Sequence, residues 1–102
     1  MPKITIEHET LLPKAETFKK VQTYLETSQS LRKLDSDLKC TFDEGACTGQ
    51  VKGSKFECDL NVTDLPGGKT KVLLNVNVGF LLSPFKGKIH DTLKEKMVKI
   101  LG

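Results

Sequence analysis

Side chains able to do acid–base or nucleophilic chemistry are few in this chain of 102 residues, and they lie far apart. The histidines are His8 and His90, and the cysteines are Cys40, Cys47 and Cys58. Catalysis needs titratable groups that converge, and the sequence contains no GxSxG, HExxH or Walker-type loop that would bring them together. The sequence therefore predicts a protein that binds something and is not an enzyme. An enzyme using His8 is the weakest alternative, because no second catalytic group can be named.

His8 continues the apolar face of the predicted first strand, after Ile4 and Ile6. A histidine in that position can be a catalytic base or a ligand anchor, but it is more often a structural residue with a hydrogen-bond partner. No spacing between His8 and the cysteines is typical of a metal site. We therefore expect neither a metal nor a cofactor, and His8 remains only a candidate ligand-binding residue.

The three cysteines indicate reduced thiols in a core. Their number is odd and no pair shows CxxC spacing. The opening residues, MPKITIEHE, lack the apolar core of a secretion signal, and no apolar run approaches the about 20 residues that span a bilayer. Disulfides are rare in reducing compartments. The sequence thus predicts a single domain over residues 1–102, without a transmembrane segment, located in the cytoplasm.

The formal net charge of +3 indicates a mildly basic protein. A dedicated nucleic-acid binder shows a denser basic stripe, so no nucleic-acid partner is expected. The lysines of the last predicted helix are candidates for weak attraction to an anionic surface. They are Lys86, Lys88, Lys94, Lys96 and Lys99. The alternative is that this helix packs on the core and exposes a solvated lysine-rich face.

Hydrophobic periodicity predicts the order β-α-β-β-β-β-α. Alternating residues indicate strands over 3–8, 37–43, 46–53, 55–62 and 70–80. The last strand is expected to turn Val72, Leu74, Val76, Val78 and Phe80 to one face. Four consecutive strands joined by short turns predict an antiparallel meander.

Two amphipathic helices are expected on the inward face of this sheet. The first follows Pro13 and shows the stripe Ala15, Phe18, Val21 and Leu25, and Leu31 with Leu34 either continues it or forms a short second turn. The last begins at Ser83-Pro84, a favourable helix start, and repeats an apolar residue every four positions. Its stripe is Phe85, Ile89, Leu93, Met97 and Leu101. The predicted fold is α+β, with a curved antiparallel sheet of four to five strands packed on the C-terminal helix in a helix-grip-like arrangement.

A curved sheet closed by a helix can enclose a pocket for an apolar ligand. Aromatic and methionine side chains often line such sites. Those expected to face inward here, together with His8, are Phe18, Phe42, Phe56, Phe80 and Met97. The alternative is that the same side chains fill the interior and leave a solid core.

The C-terminal sequence VNVGFLLSPFKGKIHDTLKEKMVKIL resembles the end of the polyhydroxyalkanoic acid system family, the small granule-region proteins of bacteria. The opening Ile4-x-Ile6-x-His8 and the step from Gly49 to Gly53 are also similar to the family. The C-terminal likeness rests on Val78, Gly79, Phe80, Leu81, Leu82, Pro84, Phe85, Lys86, Gly87, Ile89 and Leu93. The resemblance implies association with polyester storage granules, and it implies no catalytic residues.

The leading hypothesis is therefore a non-enzymatic accessory protein that acts at a hydrophobic granule surface, on an acyl-type ligand or on a partner protein. The alternative is a small helix-grip module that holds a lipid or other apolar ligand between the sheet and the C-terminal helix. A cavity of about 300 Å³ or more between sheet and helix would favour the ligand. A filled interior with an exposed apolar patch would favour a surface or a partner.

Overall fold

The computed structural model describes residues 3–102 as one sheet with helices on its inward face. The strands are β1 (Lys3–Thr10), β2 (Lys39–Asp43), β3 (Thr48–Lys52), β4 (Phe56–Leu65) and β5 (Lys69–Val78). The helices are α1 (Lys14–Thr27), α2 (Gln29–Leu34) and α3 (Lys86–Leu101), and a 3₁₀ segment (Phe80–Phe85) precedes α3. The predicted element order and the α+β class are confirmed.

The five strands form a curved, open antiparallel sheet in the order β1-β5-β4-β3-β2. Strands β2 to β5 are the predicted meander, and β1 pairs with β5 from Lys3 opposite Asn77 to Thr10 opposite Thr70. The connection through α1 and α2 thus runs from one edge strand to the other. The β4–β5 turn contains Gly67 and Gly68, both with positive φ, which suits residues without a side chain.

Alternation along the long strands turns one face of the sheet to the core. Leu60, Val72, Leu74 and Val76 are each at most 1% exposed. Their neighbours in sequence, such as Asn75 and Asp59, lie half-buried on the outer face. The C-terminal helix covers the inner face and packs mainly along β1, with α1 beside it.

Helix α1 buries Phe18, Val21 and Leu25 as predicted, but not Ala15, which is exposed. Thr17 takes its place in the core, fully buried, with its hydroxyl donating to the carbonyl oxygen of Leu12. A hydroxyl that finds an acceptor in the preceding turn can be buried at little cost, and the apolar pattern does not reveal this.

Leu31 and Leu34 do not continue α1 but belong to α2, which is a separate short helix. Ser28 ends α1 and caps α2, because its side-chain oxygen accepts a hydrogen bond from the backbone N–H of Leu31. Capping of this kind favours a helix start at serine. Leu31 is buried and Leu34 is half-buried.

Two details of the predicted C-terminal region are wrong. Strand β5 ends at Val78 and not at residue 80, because the carbonyl oxygen of Gly79 accepts a hydrogen bond from the N–H of Leu82 and the chain enters the 3₁₀ segment. Phe80 therefore leaves the inward face and is 89% exposed. Helix α3 starts only at Lys86, so Phe85 precedes it and is 51% exposed, while the other four residues of the stripe are buried.

Candidate functional site

An apolar surface depression lies beside the first half of α3 and is called the α3 cleft here. It is open to solvent, and its volume is about 370 Å³. Helix α2 forms one wall, the 3₁₀ segment another and α3 the third. Its apolar lining is Leu31, Leu34, Leu82, Phe85, Ile89 and Leu93, and its polar lining is Ser30, Lys33, Lys88 and Thr92. A concave apolar site with a few polar groups is the usual form of a small-molecule site.

One residue of the β3–β4 turn, Lys55, supports two walls of the cleft. Its backbone N–H donates to Oδ2 of Asp35, at the end of α2, over 2.6 Å. Its carbonyl oxygen accepts from the N–H of Gly79, just before the 3₁₀ segment, over 2.8 Å. The positions of α2 and of the 3₁₀ segment are thus both fixed to the same turn.

Two glycines, Gly53 and Gly79, lie so close to these contacts that neither position has room for a side chain. A Cβ on Gly79 would lie 2.7 Å from the carbonyl oxygen of Lys55, and one on Gly53 would overlap the carboxylate of Asp35. Real Cβ atoms do not approach so closely, so a side chain at either position forces the backbone or the carboxylate to move. These two glycines are needed for close approach, as is typical of glycine at strand ends.

Asp35 is almost fully buried, at 1% exposure, and it is charged because its hydrogen bonds outweigh burial. Burial alone would raise its pKa, but donation from the backbone N–H groups of Lys55, Asp37 and Phe56 and from the Ser54 hydroxyl lowers the pKa below its ordinary value of 3.8. Hydrogen bonds to the ionised form favour that form. The carboxylate therefore acts as a structural clamp between α2 and the β3–β4 turn.

Large apolar side chains stand in solvent next to the cleft. Phe80 is 89% exposed, Leu81 69% and Phe85 51%. All three belong to the 3₁₀ segment and are called the apolar tip here. Lys86 and Lys88 follow the tip directly and are exposed. Contiguous exposed apolar residues usually mark a site of interaction.

The structure does not gather the predicted ligand-binding residues into one pocket. Phe18, Phe56 and Met97 lie in the core, at most 5% exposed. Phe42 is half-buried at the far edge of the sheet, where its ring meets that of Phe18 edge-on at 6.1 Å. None of them lines the α3 cleft, so the cleft is not the pocket that was predicted between sheet and helix.

Phe80, which was expected to face inward, instead belongs to the apolar tip. His8 lies at the opposite end of α3, where its Nε2 is 3.1 Å from the carbonyl oxygen of Gly102 and its Nδ1 is 3.3 Å from Nζ of Lys94. These contacts match a structural role for His8.

The predicted surface lysines do not act as one group. Lys86 and Lys88 lie next to the tip and the cleft, whereas Lys94 donates to the backbone oxygen of Glu7 over 2.6 Å and so ties α3 to β1. Lys96 is half-buried and Lys99 is exposed near the end of the helix. Only the first two stand beside the apolar tip.

The cysteines are free thiols, two of them buried in the core. Burial first, then the charge of Asp59 and the neighbouring Cys40, raise the pKa of Cys58 to about 12. A thiol with so high a pKa is a poor nucleophile. Among residues 3–102, no group of three or more His, Cys, Asp or Glu side chains is arranged to hold a metal ion.

Sequence reasoning did not predict the α3 cleft, although it noted most of the lining residues. The sequence leaves open whether Leu31 and Leu34 continue α1 or form a short second turn. The signal that was present is the Ser28 cap followed by two leucines, which predicts a second short helix with its own apolar side. How that helix faces α3 depends on tertiary contacts such as the one between Asp35 and Lys55.

Comparison with solved structures shows which architecture this is. Over 98% of the chain, it is similar to TTHA0849 from Thermus thermophilus, with a TM-score of 0.61, 10% identity and 94% of that chain covered. It is also similar to Ara h 8.0201, with a TM-score of 0.52, 16% identity, and 98% of this chain and 93% of that chain covered. The chain adopts the helix-grip fold. Identities this low show the fold alone.

The helix-grip chain matches no family model and no curated protein. Within residues 3–102, no helix combines the length and the apolar character needed to cross a bilayer. The α3 cleft and the apolar tip are therefore the candidate binding sites of this chain.

Proposed function

We propose that the protein is a non-enzymatic binding module that takes a small apolar ligand into the α3 cleft. The observation that carries this proposal is an open cleft of about 370 Å³ whose lining is mostly leucine, isoleucine and phenylalanine. The cleft lies beside the helix that the sheet grips, between that helix, α2 and the 3₁₀ segment. We propose that it acts in the cytoplasm, where its three thiols stay reduced.

The driving force for such binding is removal of apolar surface from water, at about 25 cal/mol per Å². Leu34 and Phe85 are partly exposed in the cleft, so an apolar ligand would cover them. Leu82, Ile89 and Leu93 beneath them are buried already and form the floor. The walls can receive a ligand without unfolding of the core.

A neutral probe tests this proposal. N-phenyl-1-naphthylamine fluoresces when it leaves water, and we expect saturable binding to the natural protein. Thr92 is half-buried in the cleft lining, so Thr92→Trp places a large ring in the cleft, and the probe affinity should fall at least tenfold. Thr63→Trp, on an exposed position of β4, should leave it unchanged.

The chain has no natural tryptophan, so each variant also carries its own fluorescent reporter of correct folding. Failure of the natural protein to bind this probe and 1-decanol would overturn the proposal. Equal affinity of both folded tryptophan variants would overturn it as well.

We also propose, as a second candidate, association with the surface of polyester granules. The apolar tip supports this candidate, because Phe80, Leu81 and Phe85 are exposed in one segment next to Lys86. Apolar side chains flanked by lysine favour attachment to an interface. The resemblance of the C-terminal sequence to granule-region proteins points to the same surface.

Sedimentation with polyhydroxybutyrate particles tests the second candidate. Replacing both Phe80 and Leu81 by serine should reduce the bound fraction several-fold. Leu11 is 78% exposed and lies far along the sequence from the tip, so Leu11→Ser is the matched control and should bind as the natural protein does. Equal loss in both variants, or no loss in either, would rule out attachment through the tip.

A further inference from the structure

Two lysines are the charged members of the α3 cleft lining, and they come from opposite walls. Lys33 belongs to α2 and Lys88 to α3, and both are exposed. The lining contains no aspartate or glutamate. Over the described residues 3–102, the ion pairs involve Lys19, Lys69, Lys71 and His90, and neither cleft lysine takes part in one.

The carboxylates nearest to these lysines in sequence are already engaged. Asp35, two residues after Lys33, accepts hydrogen bonds from the β3–β4 turn. Asp91, three residues after Lys88, is 3.1 Å from Nδ1 of His90. The rim of the cleft therefore carries two ammonium groups that form no ion pair with a carboxylate within residues 3–102.

We propose that the ligand of the α3 cleft is a single-chain amphiphile with an anionic head, such as a medium-chain carboxylate. This inference rests on the proposed ligand-binding function and adds the chemistry of the head group. The tail lies against Leu34, Leu82 and Ile89, and the carboxylate lies at the rim between Lys33 and Lys88. Lysine suits this position, because its long stem packs on apolar surface while its ammonium group stays in water.

The size of the cleft supports a small ligand. A volume of about 370 Å³ is near the lower end of the range of about 300–1,000 Å³ that small-molecule sites show. A single chain fits such a space better than a two-chain lipid. Because both ammonium groups are exposed, their attraction to a carboxylate is modest and is weakened by salt.

Three probes with one tail separate the contribution of the head from that of the tail. Decanoate, 1-decanol and decylammonium, each below its micelle concentration, compete with N-phenyl-1-naphthylamine for the natural protein at low salt. We expect decanoate to bind about three- to tenfold more tightly than 1-decanol. Decylammonium should bind most weakly, and the preference for decanoate should shrink at about 0.5 M salt.

Variants that remove the lysine charges test which residues cause the preference for decanoate over 1-decanol. Lys33→Gln combined with Lys88→Gln should abolish the preference for decanoate and leave the affinity for 1-decanol unchanged. The matched control is Lys20→Gln, since Lys20 is exposed on α1 near Ile100, at the other end of α3. This control should keep the full preference.

The outcomes distinguish the two proposals. If all three probes bind equally, or if the preference survives in the double variant, the anionic head is wrong while ligand binding stands. If none of the probes binds, both proposals fall. Binding of decanoate in preference to 1-decanol, lost only in the double variant, supports both.

Discussion

The two ends of α3 differ in how they are held. In the C-terminal half, Lys94 donates to the backbone oxygen of Glu7, and the hydroxyl of Thr10 donates to the carbonyl oxygen of Leu101 over 2.8 Å. In the first turn of α3, no side-chain hydrogen bond to another element occurs within the described part of the chain. That end instead borders the α3 cleft and the apolar tip.

The C-terminal end of α3 therefore contributes mainly to folding stability, whereas the N-terminal end leaves apolar surface open for binding. Met97 and Leu101 bury their side chains where polar groups also tie the helix to β1. Phe85 remains half-exposed where the helix begins. Surface left open for binding adds little to the folding free energy, so residues of the two ends should respond differently to substitution.

The largest effect should come from truncating the buried end. Met97 is fully buried, so Met97→Ala removes apolar contacts and leaves a cavity, and we expect a loss of about 2–5 kcal/mol in the free energy of unfolding. Phe85→Ala, at the half-exposed end, should cost under about 1 kcal/mol. Urea denaturation followed by circular dichroism measures both values, and similar losses would contradict the comparison.

Asp35 should give the next largest effect, because it holds α2 beside the open end. Asp35→Ala leaves the N–H of Lys55 without its acceptor, and we expect a loss of about 2–3 kcal/mol at pH 7. Asp37 is exposed and accepts a hydrogen bond from the Ser54 hydroxyl, so Asp37→Ala should lose under about 1 kcal/mol in the same urea measurement.

The effect of Asp35 should depend on pH in one direction. Its pKa is lower in the folded protein than its ordinary value of 3.8, so its contribution to stability is present above about pH 4 and is lost as the pH falls through the folded-state pKa. The stability difference between the natural protein and Asp35→Ala should therefore shrink below about pH 4. A difference that stays constant down to about pH 2 would show that the carboxylate is not the stabilising group.

Two glycines near the start of α3 should respond with opposite signs. Gly79→Ala places a methyl group against the carbonyl oxygen of Lys55 and should cost about 1–3 kcal/mol. Gly87 has open space around its Cβ position and lies in the first turn of α3, so Gly87→Ala should gain about 0.5 kcal/mol. Thermal unfolding measures the melting temperature of both variants, and shifts in the same direction would contradict this prediction.

A smaller effect than those of Met97 and Asp35 should come from the polar tie between α3 and β1. Lys94→Gln removes the donation to Glu7 and should lower the free energy of unfolding by about 1 kcal/mol. Lys99→Gln changes the same charge on the exposed side of the helix and should cost nothing measurable. Equal values for the two variants would mean that the Lys94 contact adds no stability.

Much of the fold could be predicted because hydrophobic periodicity is local. The four-residue repeat of Ile89, Leu93, Met97 and Leu101 predicts the buried side of α3, and all four are buried. The alternation in β4 and β5 predicts their inward residues equally well. These patterns do not depend on which element packs on which.

The α3 cleft and the end of β5 could not be predicted in this way. Alternation continues from Val78 to Phe80, but the carbonyl oxygen of Gly79 accepts from the N–H of Leu82, which opens the 3₁₀ segment and ends the strand. Gly79 itself is held by Lys55, on the far side of the β4–β5 hairpin, and no local pattern reports that contact. The angle between α2 and α3 is likewise set by contacts distant in sequence, and a cleft is a property of that angle.

Because the N–H and the carbonyl group of Lys55 lie on either side of one Cα atom, α2 and the 3₁₀ segment share a common base. Only the φ and ψ of this one residue separate the two groups, so the spacing of the two walls can change little at that base. A wider ligand is therefore accommodated by the outer ends of the walls, away from the turn. In hydrogen exchange, the amide protons of Lys55 and Gly79 should then become accessible together, in one opening event that separates both walls from the sheet.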